Sequence, residues 1–555
     1  MRLDKSWFKN YPNNIPHEID LSKNLTLIDI FKESFDKHSS RVAFESFGKS
    51  ISYQGLDQAS EQFASFLQFQ GVKKGDRVAL MMPNVMQYPI AIAGILRCGA
   101  IVVNVNPLYT PRELEHQLKD SGAQTIVILE NFAHVLSSVL PQVQIQNIVV
   151  TSMGEMLGIK GKIIDFVIKY VKKLIPAWRL PQYTTFNAAL EVGKQMGFIK
   201  PLVNHDDIAF LQYTGGTTGV SKGAVLEHRN LVANVLQIEA WLQPAILNKP
   251  IEQLSFICAL PLYHIFALTA CGLFSIRSGG KSVLIANPKD IPGLIKTLSN
   301  LKEFHIFPAV NTLFNALMLH PNFSKIDFST LMVTIGGGMA IQKSVADRWQ
   351  KLTGCPIAEG YGLSETSPVA SCNITTISEF TGHVGLPLPN TDISIRNDLG
   401  DEVDVNQHGE ICIKGPQVMR EYWHRDDETQ LVMTSDGFFK SGDIGFINED
   451  GYIKIIDRKK DMILVSGFNV YPNEVEEVIS QIPGVLECAV IGINDEHSGS
   501  SVKTFIVKRD PALTEKEVSD YCISNLTNYK RPKHIQFVQT LPKSNVGKIL
   551  RKDLR

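Results

Sequence analysis

The segment Tyr213–Ala224, YTGGTTGVSKGA, concentrates residue types that hold phosphate. Gly215, Gly216 and Gly219 let a backbone turn sharply and bring its N–H groups close to an anion. Thr214, Thr217, Thr218 and Ser221 add hydroxyls, and Lys222 adds a point charge. The run IAFLQYT before the loop reads as a strand ending at Tyr213 and Thr214. Two common nucleotide motifs are excluded by spacing. A phosphate-loop NTPase needs lysine directly after glycine, whereas Lys222 follows Ser221. A dinucleotide fingerprint separates its first two glycines, whereas Gly215 and Gly216 are adjacent. By itself the loop is either an anion cradle or a polar surface turn.

Such a loop needs a rigid frame, and the flanking sequence supplies one. Arg77–Pro83, Ile101–Pro107 and Thr125–Glu130 read as apolar strands. Between them lie two helical stretches, Val85–Gly99 and Pro111–Ala123, the second with proline at its start and glycine near its end. This β-α-β-α-β order predicts an α/β fold with parallel sheet covered by helices on both faces. The pattern continues through SFICALP, HIFPAV and LMVTIGGG. From about residue 380 short strands and turns take over (VGLPLP, DISIRNDLGDEV, GEICIKGP), which predicts a β-rich subdomain over about 380–456. After Asp457 the pattern changes to that of a small α+β domain, with Thr514 as a helix cap. The expected organisation is 1–456, a hinge at 457–462 and a mobile domain at 463–555.

The 555 residues allow roughly two to four domains. Lys and Arg (55) balance Asp and Glu (56), so no basic excess points to nucleic acid. None of the eight cysteines forms a CxxC pair, which argues against a structural zinc site or a disulfide framework and for a reducing compartment. The N-terminus lacks a signal-peptide core, and the expected location is the cytoplasm. Ser255–Ile276 carries no charged Asp, Glu, Lys or Arg and is long enough to span a bilayer. Pro261 and His264 interrupt it, so it reads as a buried strand, a turn and a buried helix.

Four further stretches follow the loop in order: YGLSETSP (Tyr361–Pro368), SDGFFKSGD (Ser435–Asp443), IIDRKKDMILVSGFNVYPNEVE (Ile455–Glu476) and LPKSNVGKILR (Leu541–Arg551). With the loop they resemble the acyl-adenylate-forming superfamily of acyl-CoA synthetases, adenylation domains and firefly luciferase. The likeness is strongest to bacterial long-chain fatty-acid–CoA ligases and covers essentially the whole chain. It implies a two-step reaction: a fatty acid and MgATP give acyl-AMP and pyrophosphate, and the thiol of coenzyme A then displaces AMP.

The resemblance also implies residue roles. Glu365 and Thr214 would hold Mg²⁺, for which hard oxygen donors suit. The loop Tyr213–Lys222 would grip the β- and γ-phosphates. Gly337, Gly338, Glu359, Gly360 and Tyr361 would enclose adenine, and Asp443 with Arg458 would take the ribose. Lys548 would bridge carboxylate and α-phosphate during acyl-AMP formation. Asp457 and Lys460 would form the hinge, whose rotation would present Gly467 to CoA. His264 is either part of the acyl and CoA tunnel or a satisfied core histidine. Two positions depart from the long-chain ligase signature D-G-W-x-x-T-G-D, which here has Phe438 and Ser441; the aromatic and the hydroxyl are kept.

Further expectations concern partners. Asp165–Leu180 mixes lysines with Phe166, Tyr170 and Trp178, a composition that suits either a bilayer interface on the inner face of the membrane or a surface helix packed inward. A homodimer is compatible with the resemblance, and nucleic acid has no support. The competing readings are an acyl-AMP ligase that serves a carrier protein, a medium-chain synthetase, and a non-catalytic lipid-binding protein.

Overall fold

The computed structural model describes residues 5–214, 221–247, 249–495, 499–544 and 547–555. Gly215, Gly216, Thr217, Thr218 and Gly219 of the expected phosphate loop lie outside the described residues.

Two large sheets form the frame. The first has seven strands, in the spatial order Thr184–Thr185, Asn147–Thr151, Thr125–Leu129, Arg77–Met81, Ile101–Asn104, Ile208–Thr214 and Lys222–Glu227. All neighbours run parallel except the last pair. Val, Ile and Leu fill these strands, as sheets covered on both faces require. The helix Pro111–Ser121 connects two of them; it opens with a reciprocal Thr110–Glu113 cap and closes on Gly122 in the left-handed region.

The second sheet has nine strands. Its parallel centre runs from Ile357–Gly362 through Val333–Gly336, Ile306–Ala309, Ser255–Cys258 and Lys281–Leu284 to Val42–Ser46, with antiparallel strands at both edges. The uncharged run Ser255–Ile276 is indeed a buried strand, a turn at Pro261–His264 and buried helical turns ending at Arg277. No helix among the described residues is long and apolar enough to cross a membrane.

A four-stranded antiparallel sheet follows: Asp392–Arg396, Gly409–Lys414, Phe439–Ile447 and Ile453–Arg458. The VGLPLP segment belongs elsewhere. Leu386–Pro387 pairs with Val369–Cys372 as the edge of the nine-stranded sheet, so the β-rich unit begins at Asp392 and ends at Arg458. Short apolar runs carry no sign of which sheet they join.

The last unit has its own core. The strands Val485–Asp495, Gly499–Lys508 and His534–Val538 pack against the helices Pro472–Ser480 and Glu515–Asn525, the latter capped by Thr514 and Glu517. All eight cysteines are free and buried.

Candidate active site

One cavity of about 2770 Å³ lies where the two large sheets, the four-stranded sheet and the last unit meet. Single-ligand pockets measure roughly 300–1,000 Å³, so it has room for more than one ligand. Tyr213, Thr214, Ser221, Lys222, His264, Gly337, Gly338, Glu359, Gly360, Tyr361, Glu365, Asp443, Asp457, Arg458, Lys460 and Lys548 all line it.

The ends of the expected phosphate loop are fixed from outside. Tyr213 donates its hydroxyl to Asp120 Oδ2 at 2.7 Å, and Arg425 Nη2 donates to Asp120 Oδ1 at 2.6 Å. His116 Nε2 meets the Ser221 carbonyl at 3.0 Å. Asp120 and His116 sit one turn apart on the helix Pro111–Ser121, so one helix holds both loop ends. Tyr213 therefore anchors the frame through its hydroxyl. Residues 420–423 add themselves along the outer edge of Lys222–Glu227: Val225 N–H donates to Glu421 O at 2.9 Å and Trp423 N–H to Gly223 O at 2.8 Å. This register brings Glu428 to Lys222, where the two form an ion pair, and sets the Tyr422 ring 5.0 Å from Lys222 Nζ.

Glu365 is held by the same segment. Tyr422 donates its hydroxyl to Glu365 Oε1 at 2.7 Å, and Met419 N–H donates to the Glu365 carbonyl at 2.7 Å. The buried Glu365 carboxylate and Thr214 line the same cavity, and oxygen donors of these types suit Mg²⁺ when phosphate and water complete its shell.

Alternation along the strand Ile357–Gly362 puts Glu359 and Tyr361 on one face. Tyr361 donates its hydroxyl to Asp443 Oδ2 at 2.7 Å, and Arg458 Nε pairs with Asp443 Oδ1 at 2.8 Å. Ser441 explains why a hydroxyl is kept in its turn: it donates to the Ile411 carbonyl at 2.7 Å and accepts from Asp443 N–H at 3.1 Å. Phe438 lies against the Arg396 guanidinium, 4.5 Å from ring centre to carbon. Burial pushes the Glu359 carboxyl up to about 8, only partly opposed by the Ile341 N–H at 3.3 Å. Near neutral pH it is mostly an uncharged acid on the cavity wall.

The last unit closes over this pocket. Thr312 Oγ1 donates to the Gly547 carbonyl at 3.0 Å and so ties the Lys548 turn to the body. Burial, then the nearby Arg458 cation, lower the Lys548 ammonium to about 8, with Asp443 pulling the other way. Burial and then Lys548 hold the His264 imidazole down to about 4, so it is neutral near pH 7. His264 Nδ1 accepts from Phe266 N–H at 3.4 Å, which makes it a helix cap and a cavity wall at once. Asp457 is buried at the end of its strand: Oδ1 accepts from Arg551 Nη1 at 3.1 Å and Oδ2 from Asn473 N–H at 2.7 Å. Arg551 also grips Glu476 at 2.8 and 3.1 Å. Gly467 stands apart from the pocket, at the turn between Ile463–Val465 and Phe468–Val470.

Residues 31–423 match the model of the AMP-binding enzyme family, and residues 474–548 match that of the AMP-binding enzyme C-terminal domain. The chain belongs to the AMP-binding enzyme family. Relatives also match it over its full length. It is 50% identical to a long-chain-fatty-acid–CoA ligase of Yersinia pestis, over all of this chain and 98% of the relative. A ligase of the same description from Bacillus subtilis is 36% identical over the same shares. Among solved structures, ATP-bound MatB from Rhodopseudomonas palustris superposes with a TM-score of 0.82 at 26% identity, covering 96% of this chain and 98% of that one. The expected adenylate-forming fold, a large α/β region with a small α+β domain, is the fold found.

Several residues that shape this cavity were not singled out in the sequence. Asp120, His116, Thr312, Tyr422, Arg425 and Glu428 act on residues far away in the chain, and no local spacing marks them. Arg551 sits in the basic run KILRKDLR, which has the look of a solvated tail.

Proposed function

We propose that this protein activates long-chain fatty acids to acyl-CoA through an acyl-AMP intermediate. The observation that carries the reading is the joining of two environments in one cavity. Thr214, Glu365, Tyr361, Asp443, Arg458 and Lys548 supply one part of its lining. The same cavity is lined by Leu242, Phe256, Phe274, Ile306, Val333 and Ile335, four of them on three neighbouring strands. A chain of methylenes gains about 0.8 kcal/mol per buried CH₂ against such a lining.

In the first step a carboxylate oxygen attacks the α-phosphorus of ATP and pyrophosphate leaves. The Lys548 ammonium stands to steady the negative charge shared by carboxylate and phosphate. Asp120 and His116, which hold Tyr213 and Ser221, would keep Thr214, Ser221 and Lys222 turned towards the leaving group. Asp443 accepts from the ribose hydroxyls while Tyr361 and Arg458 fix its orientation. Mg²⁺, held by Glu365 with Thr214, would neutralise phosphate charge. In the second step the CoA sulfur attacks the acyl carbonyl and AMP leaves. Asp457 and Lys460 lie where the last unit joins the body, and rotation there would withdraw Lys548 and bring the Gly467 turn towards CoA.

Lys548→Ala tests the division of labour. Fatty-acid-dependent exchange of pyrophosphate into ATP is expected to fall by at least a hundredfold, while thioester formation from supplied acyl-AMP stays near wild type. An unchanged exchange rate would remove Lys548 from the first step.

A further inference from the structure

The helix Gly158–Phe166 and the π-helical turn Val167–Val171 that continues it present an apolar stripe to solvent. Ile159, Ile163, Phe166 and Tyr170 recur at helical spacing and are 82, 62, 58 and 60% exposed. Val171 and Leu174 extend the stripe. A surface helix ordinarily turns such a stripe inward. Here the opposite side is already committed. Gly161 is seated against Gly154 so closely that a Cβ on either would collide with the other's carbonyl oxygen. Asp165 accepts from Ser152 Oγ at 2.6 Å and from Gly154 N–H at 2.7 Å. Lys160 is tied to the Phe47 carbonyl, and Asn131 Nδ2 donates to the Leu174 carbonyl at 3.1 Å. The stripe is therefore held outward by its own docking to the body. None of residues 158–174 lines the active-site cavity.

Charge identifies what the stripe meets. Lys160, Lys162, Lys169, Lys172, Lys173 and Arg179 are all exposed, and Asp165 is the single acid among residues 158–180. Lysines flanking exposed aliphatic and aromatic side chains match an anionic lipid surface: apolar groups enter the acyl boundary, rings sit at headgroup depth and ammonium groups meet phosphates. We infer that residues 158–174 form an interfacial anchor that seats the protein on an anionic bilayer, with Ile159, Ile163, Phe166 and Tyr170 inserted. The inference extends the proposed function, because long-chain acids partition into bilayers and a docked enzyme meets them there. Its test reads membrane binding without substrates, so it stands or fails apart from the ligase reading.

The full-length protein is sedimented with phosphatidylglycerol–phosphatidylcholine vesicles and with phosphatidylcholine alone. Binding is expected to the anionic vesicles and to weaken with salt. Phe166→Ser with Tyr170→Ser should lower partitioning at least tenfold. Lys169→Gln, Lys172→Gln and Lys173→Gln should each lower it by about fivefold. All these positions are exposed, so thermal unfolding midpoints should match wild type. A Phe166→Trp variant gives a second reading: its fluorescence should be quenched by lipids brominated on the acyl chain, and only with anionic vesicles. Equal partitioning of wild type and every variant, or no quenching, overturns the anchor. So does a wild-type dimer that binds no vesicle and that Phe166→Ser dissociates, which would make the stripe a protein interface.

Discussion

Removing one oxygen atom, by Tyr422→Phe, tests how Glu365, the acidic residue of the proposed phosphate site, is held. The Tyr422 hydroxyl donates to Glu365 Oε1 at 2.7 Å, and both residues are buried. The phenyl ring can keep its place beside Lys222 Nζ, and the backbone bridge between Tyr422 and Ala224 does not involve the hydroxyl. The substitution therefore deletes one hydrogen bond to a carboxylate and little else. Such bonds contribute about 1.5–3 kcal/mol. At about 1.4 kcal/mol per factor of ten, that is a roughly 10- to 150-fold loss if the bond serves only the poised carboxylate. Partners of metal-ligating carboxylates lose about 10–100-fold in metal affinity when removed, which falls in the same range. The assay is fatty-acid-dependent ATP–pyrophosphate exchange across a Mg²⁺ titration. The half-saturating Mg²⁺ concentration should rise by at least tenfold, and the rate at saturating Mg²⁺ should recover to within a few fold of wild type. An unchanged Mg²⁺ dependence in a folded, active variant would refute the assignment of Glu365, held by Tyr422, to the metal.

Three further substitutions and conditions separate the parts of the site. Gly547→Ala places a Cβ 2.6 Å from Thr312 Oγ1 at a φ of +84°, so the closed pose is strained by about 1–3 kcal/mol; acyl-AMP formation should slow by at least fivefold and thioester formation should not, as single-turnover measurements of each half would show. The Lys548 ammonium in the closed pose titrates near 8, so kcat/KM for acyl-AMP formation should fall as pH rises through about 8. The linkage runs the other way for closure: an ammonium lowered from about 10.4 destabilises the closed pose fully below pH 8 and progressively less between about 8 and 10.4. Distance measurements between labels on the two units should therefore show closure maintained or increased where activity is lost. Arg551→Met leaves the buried Asp457 and the part-buried Glu476 carboxylates without their guanidinium, and should cost about 3–5 kcal/mol in urea unfolding of the last unit; a loss below about 1 kcal/mol would mean that the Arg551 contacts contribute little.

The candidate site was legible in two ways, the loop from its composition and the other residues from the resemblance carried by their motifs. Gly, Thr and Lys crowd into one loop, and Tyr361, Glu365, Asp443, Arg458 and Lys548 fall in short ordered stretches that the structure brings to one cavity. The frame was legible for a similar reason: strands buried on both faces read as uninterrupted Val, Ile and Leu, and helix ends carry their caps, as at Thr110 and Thr514. What escaped is long-range. Nothing near Asp120 says that it will meet Tyr213 and Arg425, and Leu386–Pro387 looked like the start of one sheet but closes another. Arg551 shows the same limit, since a basic run reads as solvated until the carboxylates that surround it are placed. The stripe from Ile159 to Tyr170 is a mixed case: the basic and aromatic composition from Asp165 onward was visible, but Ile159 and Ile163 were not singled out, and only the Gly154–Gly161 contact decides which way the helix faces.

The most direct measurement is a product analysis of the purified protein with ATP, Mg²⁺ and a ladder of fatty acids, each with and without CoA. AMP, pyrophosphate and acyl-CoA should accumulate together only when acid, ATP and CoA are all present, with long-chain acids turned over best. Acyl-AMP that builds up unaffected by CoA would contradict a CoA ligase and point to transfer onto a carrier protein, and an absence of AMP from every acid would contradict acyl activation itself.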